Sequence, residues 1–298
     1  MTIRTAINLG TQAMRRWVFL ALRATALPFM LREVAQRKKV TIIVYHAPSA
    51  ESFDTHIRLL KHIYRIVPLS AYLAARQRGD FSALPSKALV ITLDDGYRSN
   101  YALKDIIEKH DIPVTIFLCS GLINTRRKFW FCHEATRARV QQLKTVSDEE
   151  RLAILRQAGF EETQEFGDRQ ALAASEITEL KHRVDFQSHT MFHPILPRCS
   201  SQKVEEELVQ SKRDLQAQLG QEVYAFAYPN GDYCERDVRL VEKAGYQCAL
   251  TLDSGSNTAS THLFRLRRIC IPDNANLHEL VVKASGLWGT LNGALGLK

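Results

Sequence analysis

The chain is short of several things, and each shortage removes a class of protein. It has no Cys-x-x-Cys pair, and its cysteines (Cys119, Cys132, Cys199, Cys234, Cys248, Cys270) are scattered over 298 residues. Zinc ribbons and disulfide-stapled scaffolds are not built that way, so buried free thiols are expected, although the even count leaves an oxidising compartment open. It has no apolar run near the ~20 residues that a spanning helix needs. The longest run near the start, WVFLAL at 17–22, stops at Arg23. There is no Asp or Glu before Glu33, while Arg4, Arg15, Arg16, Arg23 and Arg32 all lie in that stretch. No zinc-finger spacing, recognition-helix pattern or aromatic RNA-binding signature accompanies the net charge of +8. That charge is therefore read as the complement of an anionic membrane face or a phosphate-bearing substrate, and nucleic acid is not expected as a partner.

What remains is an ordinary globular composition, 45% hydrophobic and 24% charged, with enough length for one large domain or two modest ones. Residues 1–37 form a basic, amphipathic segment of the kind that lies in a membrane interface or packs as a helix on its own domain. Ala24-Thr25-Ala26 resembles a leader cleavage site, but the apolar run before it is shorter than the usual ~7 to 15 residues. The expected location is cytoplasmic, or peripheral at a membrane face. Residues 38–272 form the main domain, and 273–298, ending in GLWGTLNGALGLK, form an amphipathic tail that is either a second interfacial contact or a closing helix.

From Val40 onward, short β-branched runs alternate with helical patterns. VTIIVY (40–45), ALVITL (88–93), PVTIFL (113–118) and VYAFAY (223–228) read as buried strands; weaker strands are expected at 65–69, 184–188, 247–252 and 264–271. Helical patterns cover 53–63, 101–109, 201–219 and 235–244, with Ser200 before the third and Gly220 after it. Alternation of this kind means parallel β-α units, hence a barrel or a doubly wound sheet. A helical insertion at about 124–174 breaks the rhythm and is the natural lid or substrate-binding arm.

Three motifs fall at the C-terminal ends of expected strands, where α/β barrels place their chemistry. In TLDDGY (92–97), two adjacent carboxylates follow an apolar strand, a costly arrangement unless a metal takes one and leaves the other as a base. A strand-end turn that caps a helix explains the same residues. In SHTMFHP (188–194), His189 and His193 stand four apart, so one helical turn would aim both imidazoles at one ion. Chance gives such a pair as well. FAYPNGDY (226–233) is by itself only a Pro-Asn-Gly turn.

Taken in order and with their strands, these motifs resemble the NodB-type polysaccharide deacetylases (carbohydrate esterase family 4). The FAYP form is similar to a branch of exopolysaccharide (poly-N-acetylglucosamine) deacetylases. The resemblance covers roughly residues 38–272 and includes the opening VTIIVYH. It implies a distorted, incomplete (β/α) barrel of α/β class, and a hydrolase that removes N-acetyl groups from hexosamine residues of a polysaccharide or lipid-linked glycan. By motif position it implies that Asp95, His189 and His193 hold a divalent metal, zinc by default. It further implies Asp94 as the general base and the backbone N–H of Asn230 as an oxyanion donor.

Two positions depart from the family pattern. Where many members carry an arginine that orients the base, this chain has Ala227, and the late Leu-x-His motif aligns with Leu266-Arg267-Arg268. His46, at the end of the first strand, is then the first candidate for the acid, with His278 behind it. Tyr97, Tyr228 and Trp130 are candidate sugar contacts, and Arg126, Arg127 and Lys128 could grip an anionic group. Two rivals stand beside this reading. One is a non-catalytic glycan-binding protein on the same fold, suggested by Ala227 and Arg268. The other is an amidohydrolase of a non-sugar C–N bond.

Overall fold

The computed structural model describes residues 3–294, with side-chain surroundings from Met14 on. Among these, nine strands make one sheet: β1 (Val40–Tyr45), β2 (Arg65–Ile66), β3 (Ala88–Leu93), β4 (Val114–Leu118), β5 (Val184–Ser188), β6 (Ala225–Ala227), β7 (Cys248–Leu250), β8 (Ser256–Asn257) and β9 (Ile269–Cys270). The order is β7-β6-β5-β4-β3-β1-β8; β2 adds to β3 and β9 to β1. Every pairing is parallel except that of β8 with β1.

β1, β3 and β4 are buried along their whole length, as parallel strands covered on both faces must be. Alternate residues point to opposite sides. Ile43, Tyr45, Leu89, Ile91 and Leu93 meet the surrounding helices, whereas Val40, Ile42, Ala88, Val90 and Phe117 fill the inside of the curl with Ala225, Ala227 and Leu250. The sheet is thus a curled half-barrel. Its two edges are joined by the segment after residue 263. Leu266 pairs with Leu250 of β7, and Ile269–Cys270 pair with β1. The single strand expected at 264–271 is broken because it serves two neighbours in turn.

The helices are α1 (Ile3–Ala24), α2 (Leu27–Met30), α3 (Ala50–Ile63), α4 (Leu69–Arg78), α5 (Lys104–His110), α6 (Val140–Leu143), α7 (Asp148–Gln157), α8 (Ala174–Leu180), α9 (Ser201–Leu219), α10 (Glu235–Lys243), α11 (Leu277–Ala284) and α12 (Leu287–Ala294). Their ends carry the chemistry that sets them. Ser49, Ser147 and Ser200 accept the backbone N–H three residues on, and Gly79 and Gly220 close α4 and α9 in the left-handed region. Between β4 and α8, the helix that leads into β5, the chain runs through α6, α7 and short 3₁₀ turns around their own small core of Trp130, Leu143, Leu155, Phe160 and Ile195. α11 and α12 close the chain against the domain and α1: Phe19 packs with Val282, Leu287 and Trp288. No described helix is long and apolar enough to cross a membrane.

Candidate active site

The ends of β1, β3, β5 and β6 open into a cavity of about 440 Å³, lined by His46, Asp94, Asp95, Tyr97, His189, His193 and Asn230 together with Phe131, Val140, Lys144 and Asp273. The turn after β3 delivers the two aspartates. Asp95 sits at φ 71 and Gly96 at φ 66. A Cβ at Gly96 would run into the Leu118 side chain, so only glycine lets this turn close on β4. Asp95, Thr190, His193 and Asn230 are all non-glycine residues in the left-handed region, a clustering of backbone strain typical of working sites.

His189 and His193 converge, but not from a helix. The stretch after β5 is an irregular loop with Thr190 at φ 70 and His193 at φ 58, and this corrects the helical turn expected from their spacing. The Thr190 hydroxyl accepts the His193 N–H at 3.0 Å. The buried Glu207 carboxylate of α9 accepts the N–H groups of Met191 and Phe192 at 2.7 and 3.2 Å. His189 Nδ1 donates to the Ala227 carbonyl at 2.8 Å, leaving Nε2 for the cavity. His193 is steadied by the Phe131 ring, 4.9 Å away.

Both Nε2 atoms lie 3.4 Å from Asp95 Oδ1, which is buried and has no hydrogen-bond partner. These ligand atoms all fall within 4.8 Å of one another. Ligand bonds of ~2.1 Å in a tetrahedron put neighbouring donors ~3.4 Å apart, so the trio fits a divalent cation. Burial holds His193 down to about 3, in the neutral form that a ligand requires. Burial pushes Asp95 up, but the facing imidazoles outweigh it and keep the carboxyl well below its usual range.

Asp94 has a different partner. Arg268 grips it with both arms, Nη1 to Oδ1 at 2.7 Å and Nη2 to Oδ2 at 2.8 Å. Arg268 Nε donates to the Thr251 carbonyl at 2.9 Å, and the whole side chain is buried. Burial raises the Asp94 carboxyl, while the Arg268 charge, with His189 and His46, more than offsets it and holds the group ionised. The residue read from sequence as a lost histidine is therefore the orienting arginine that Ala227 lacks. Thr92 and Asp94 continue the inward face of β3, and Arg268 reaches both from across the curl.

His46 lines the cavity with its backbone fixed on both sides: its N–H donates to Asp273 Oδ1 at 3.1 Å, and its carbonyl accepts Asn100 Nδ2 at 2.8 Å. His278 does not reach the cavity; it meets Arg23 of α1 at 3.3 Å. Tyr97 packs on Phe129, 5.0 Å between centroids, and burial, Asp95 and Cys132 push its hydroxyl upward. Two expected sugar contacts are corrected. Tyr228 is fully buried, with its hydroxyl on the Phe264 carbonyl at 3.0 Å. Trp130 is 1% exposed and donates its indole N–H to the His193 carbonyl at 2.9 Å, under the Arg151 guanidinium. Both therefore stand behind the cavity and support it. Arg127 and Lys128 face Glu165 and Asp168. The cation that does reach the cavity is Lys144, which sequence reading missed; its Nζ meets Asn230 Oδ1 at 2.5 Å.

A family model described as polysaccharide deacetylase matches residues 82–249, more than half of the chain. YxkH of Bacillus subtilis (strain 168), a curated relative named for the same family, is 24% identical over 243 residues, covering 78% of this chain and 71% of that one. Among solved structures, the Streptococcus pyogenes deacetylase PplD in complex with acetate superposes with a TM-score of 0.62 at 22% identity, over 83% of this chain and 98% of that one. IcaB from Ammonifex degensii gives 0.61 at 16% identity, over 83% and 97%.

Proposed function

The chain belongs to the polysaccharide deacetylase family of hydrolytic N-deacetylases, and on that premise we propose that it removes N-acetyl groups from hexosamine residues of a polysaccharide or lipid-linked glycan, using a divalent metal, zinc by ligand type. The observation that carries the reading is the contrast between adjacent buried aspartates. Asp94 is clamped by Arg268, while Asp95 turns an unpartnered oxygen toward His189 and His193. Arg268, which together with Ala227 suggested a non-catalytic binding protein, is bonded to Asp94, and that pairing supports the catalytic reading.

Asp95, His189 and His193 would hold the ion, which when bound polarises the acetamide carbonyl and lowers the pKa of an adjacent water. Asp94 takes a proton from the attacking water as the new C–O bond forms. The Asn230 N–H donates to the carbonyl oxygen as it gains charge. His46 gives a proton to the amine nitrogen as the C–N bond breaks. Acetate and an amino sugar result. Tyr97 and Phe131 line the cavity and would contact the sugar ring, and Lys144 would donate to its hydroxyl or anionic substituents. In this reading the glycan is met at a membrane face, because residues 1–37 are basic and amphipathic.

The test is acetate release from N-acetylglucosamine oligomers. The zinc-loaded protein should be active and chelator should silence it. Asp94→Asn should lower kcat by ~10³-fold while still binding the metal. A folded, metal-bound wild type that binds the oligomers without cleaving them, or that hydrolyses small amides or imides instead, would overturn the assignment.

A further inference from the structure

Eight large apolar side chains are exposed among the described residues, and seven of them lie between residues 14 and 34. From Met14 on, α1 already has a packed face. Phe19 is buried against Val282 and Leu287, its ring 4.8 Å from Trp288, and Arg15 is paired with Glu279 at 2.6 Å. Met14, Trp17 and Val18 occupy the neighbouring stripe and point outward, Trp17 at 68% exposure. Beyond the helix, Leu27, Phe29, Met30 and Val34 are exposed in the same way. Seven exposed large apolar side chains within one short segment are more than scattered surface residues, and such a concentration marks an interaction site.

Charge identifies the occupant. From 14 to 39 the chain carries Arg15, Arg16, Arg23, Arg32, Arg37 and the pair Lys38-Lys39 against a single acid, Glu33. Arg16, Arg37 and Lys38 are exposed and form no ion pair among the described residues. Arg37, Lys38 and Lys39 also line a cleft of about 330 Å³ with Ser82 and Ser86. A second copy of the chain would set this basic surface against itself, at an electrostatic cost. A surface of lipid phosphates would neutralise it.

We propose that residues 14–38 form a docking surface for an anionic phospholipid bilayer. Trp17, Phe29 and Met30 enter the interfacial layer, and Arg16, Arg37 and Lys38 meet the headgroup phosphates. The proposal rests on the reading of a membrane-face substrate and is independent of the chemistry, because docking needs no turnover.

Co-sedimentation of the full chain with phosphatidylcholine vesicles, with and without phosphatidylglycerol, tests it. Binding should require the anionic lipid and weaken as salt rises. W17S/F29S/M30S should lose at least ~10-fold in affinity, with acetate release from soluble oligomers, measured without vesicles, unchanged. Arg37→Gln and Lys38→Gln, on exposed side chains that leave the core intact, should each cost ~5-fold. Indifference of the wild type to anionic vesicles would overturn the proposal, as would unaltered binding by these variants. A concentration-dependent dimer dissolved by W17S/F29S/M30S, without vesicle binding, would give the face to a second copy instead.

Discussion

The cavity has two walls of different construction. One is made from strand ends: Asp94 and Asp95 after β3, His189 after β5 and Asn230 after β6, each fixed by the sheet behind it. The other comes from the helical insertion, whose Phe131, Val140 and Lys144 stand on short turns around a separate small core. In the proposed mechanism, every group that forms or breaks a bond is on the first wall or on the strand end that carries His46. The second offers an aromatic ring, an aliphatic side chain and one cation. On that mechanism, reaction belongs to the part of the fold that resists displacement, and recognition to the part that can be exchanged. The seam between them is the Trp130 indole on the His193 carbonyl.

The largest expected effect lies on the strand-end wall. Arg268→Met leaves Asp94 buried without its counter-ion, and should lower kcat by ~10²-fold and stability by about 3–5 kcal/mol. Arg268→Lys keeps the charge but not the fork, and should recover part of kcat with KM unchanged. Steady-state kinetics and thermal melts read both; a methionine variant with normal kcat would erase the contrast. On the insertion wall, Lys144→Met should raise KM by ~10-fold and leave kcat within ~2-fold, as expected for a lost charged hydrogen bond to substrate. A fall in kcat as deep as that of the Arg268 variants would make the insertion part of the chemistry.

The smallest effect is at the joint between the walls. Glu162 of the insertion is largely buried, with Lys203 of α9 at 3.9 Å, and burial, opposed by Lys203, lifts its carboxyl from 4.5 to about 7. The folded chain then keeps a proton that the unfolded chain releases earlier. The stability it contributes is fully present below pH ~4.5 and is lost as pH rises through about 7. Wild type should lose about 1–3 kcal/mol across that window, and Glu162→Gln should flatten the profile, as measured by denaturant melts at stepped pH.

The strand-end wall was largely legible in the sequence and the insertion wall was not. β1 and β3 have the limits that their apolar runs predict, because strands covered on both faces leave no ambiguity of period, and β5 keeps the limits of the weaker run expected at 184–188. α9 has the limits that Ser200 and Gly220 set. The His189–His193 pair was found for the wrong reason: their spacing suits a helix, while the loop brings them together through two left-handed residues. Tyr228 and Trp130 were misplaced because an aromatic beside a motif reads the same whether its ring faces the cavity or the core. Arg268 was undervalued because its partner lies 174 residues away, beyond any local pattern. Lys144 belongs to a segment whose tertiary placement is set by its own core.

The segment that carries Arg268 also gives the molecule an order of completion. It runs from its pairing with β7 at Leu266 to its pairing with β1 at Ile269, so it is the piece that joins the two edges of the curl. As the chain leaves the ribosome, Asp95, His189 and His193 emerge before Glu207 and the Ala227 carbonyl that hold the histidine loop, and Arg268, the counter-ion of Asp94, follows later still. Joining the edges of the curl and pairing Asp94 with its cation are therefore one event, and the aspartate pair is settled only when the sheet is.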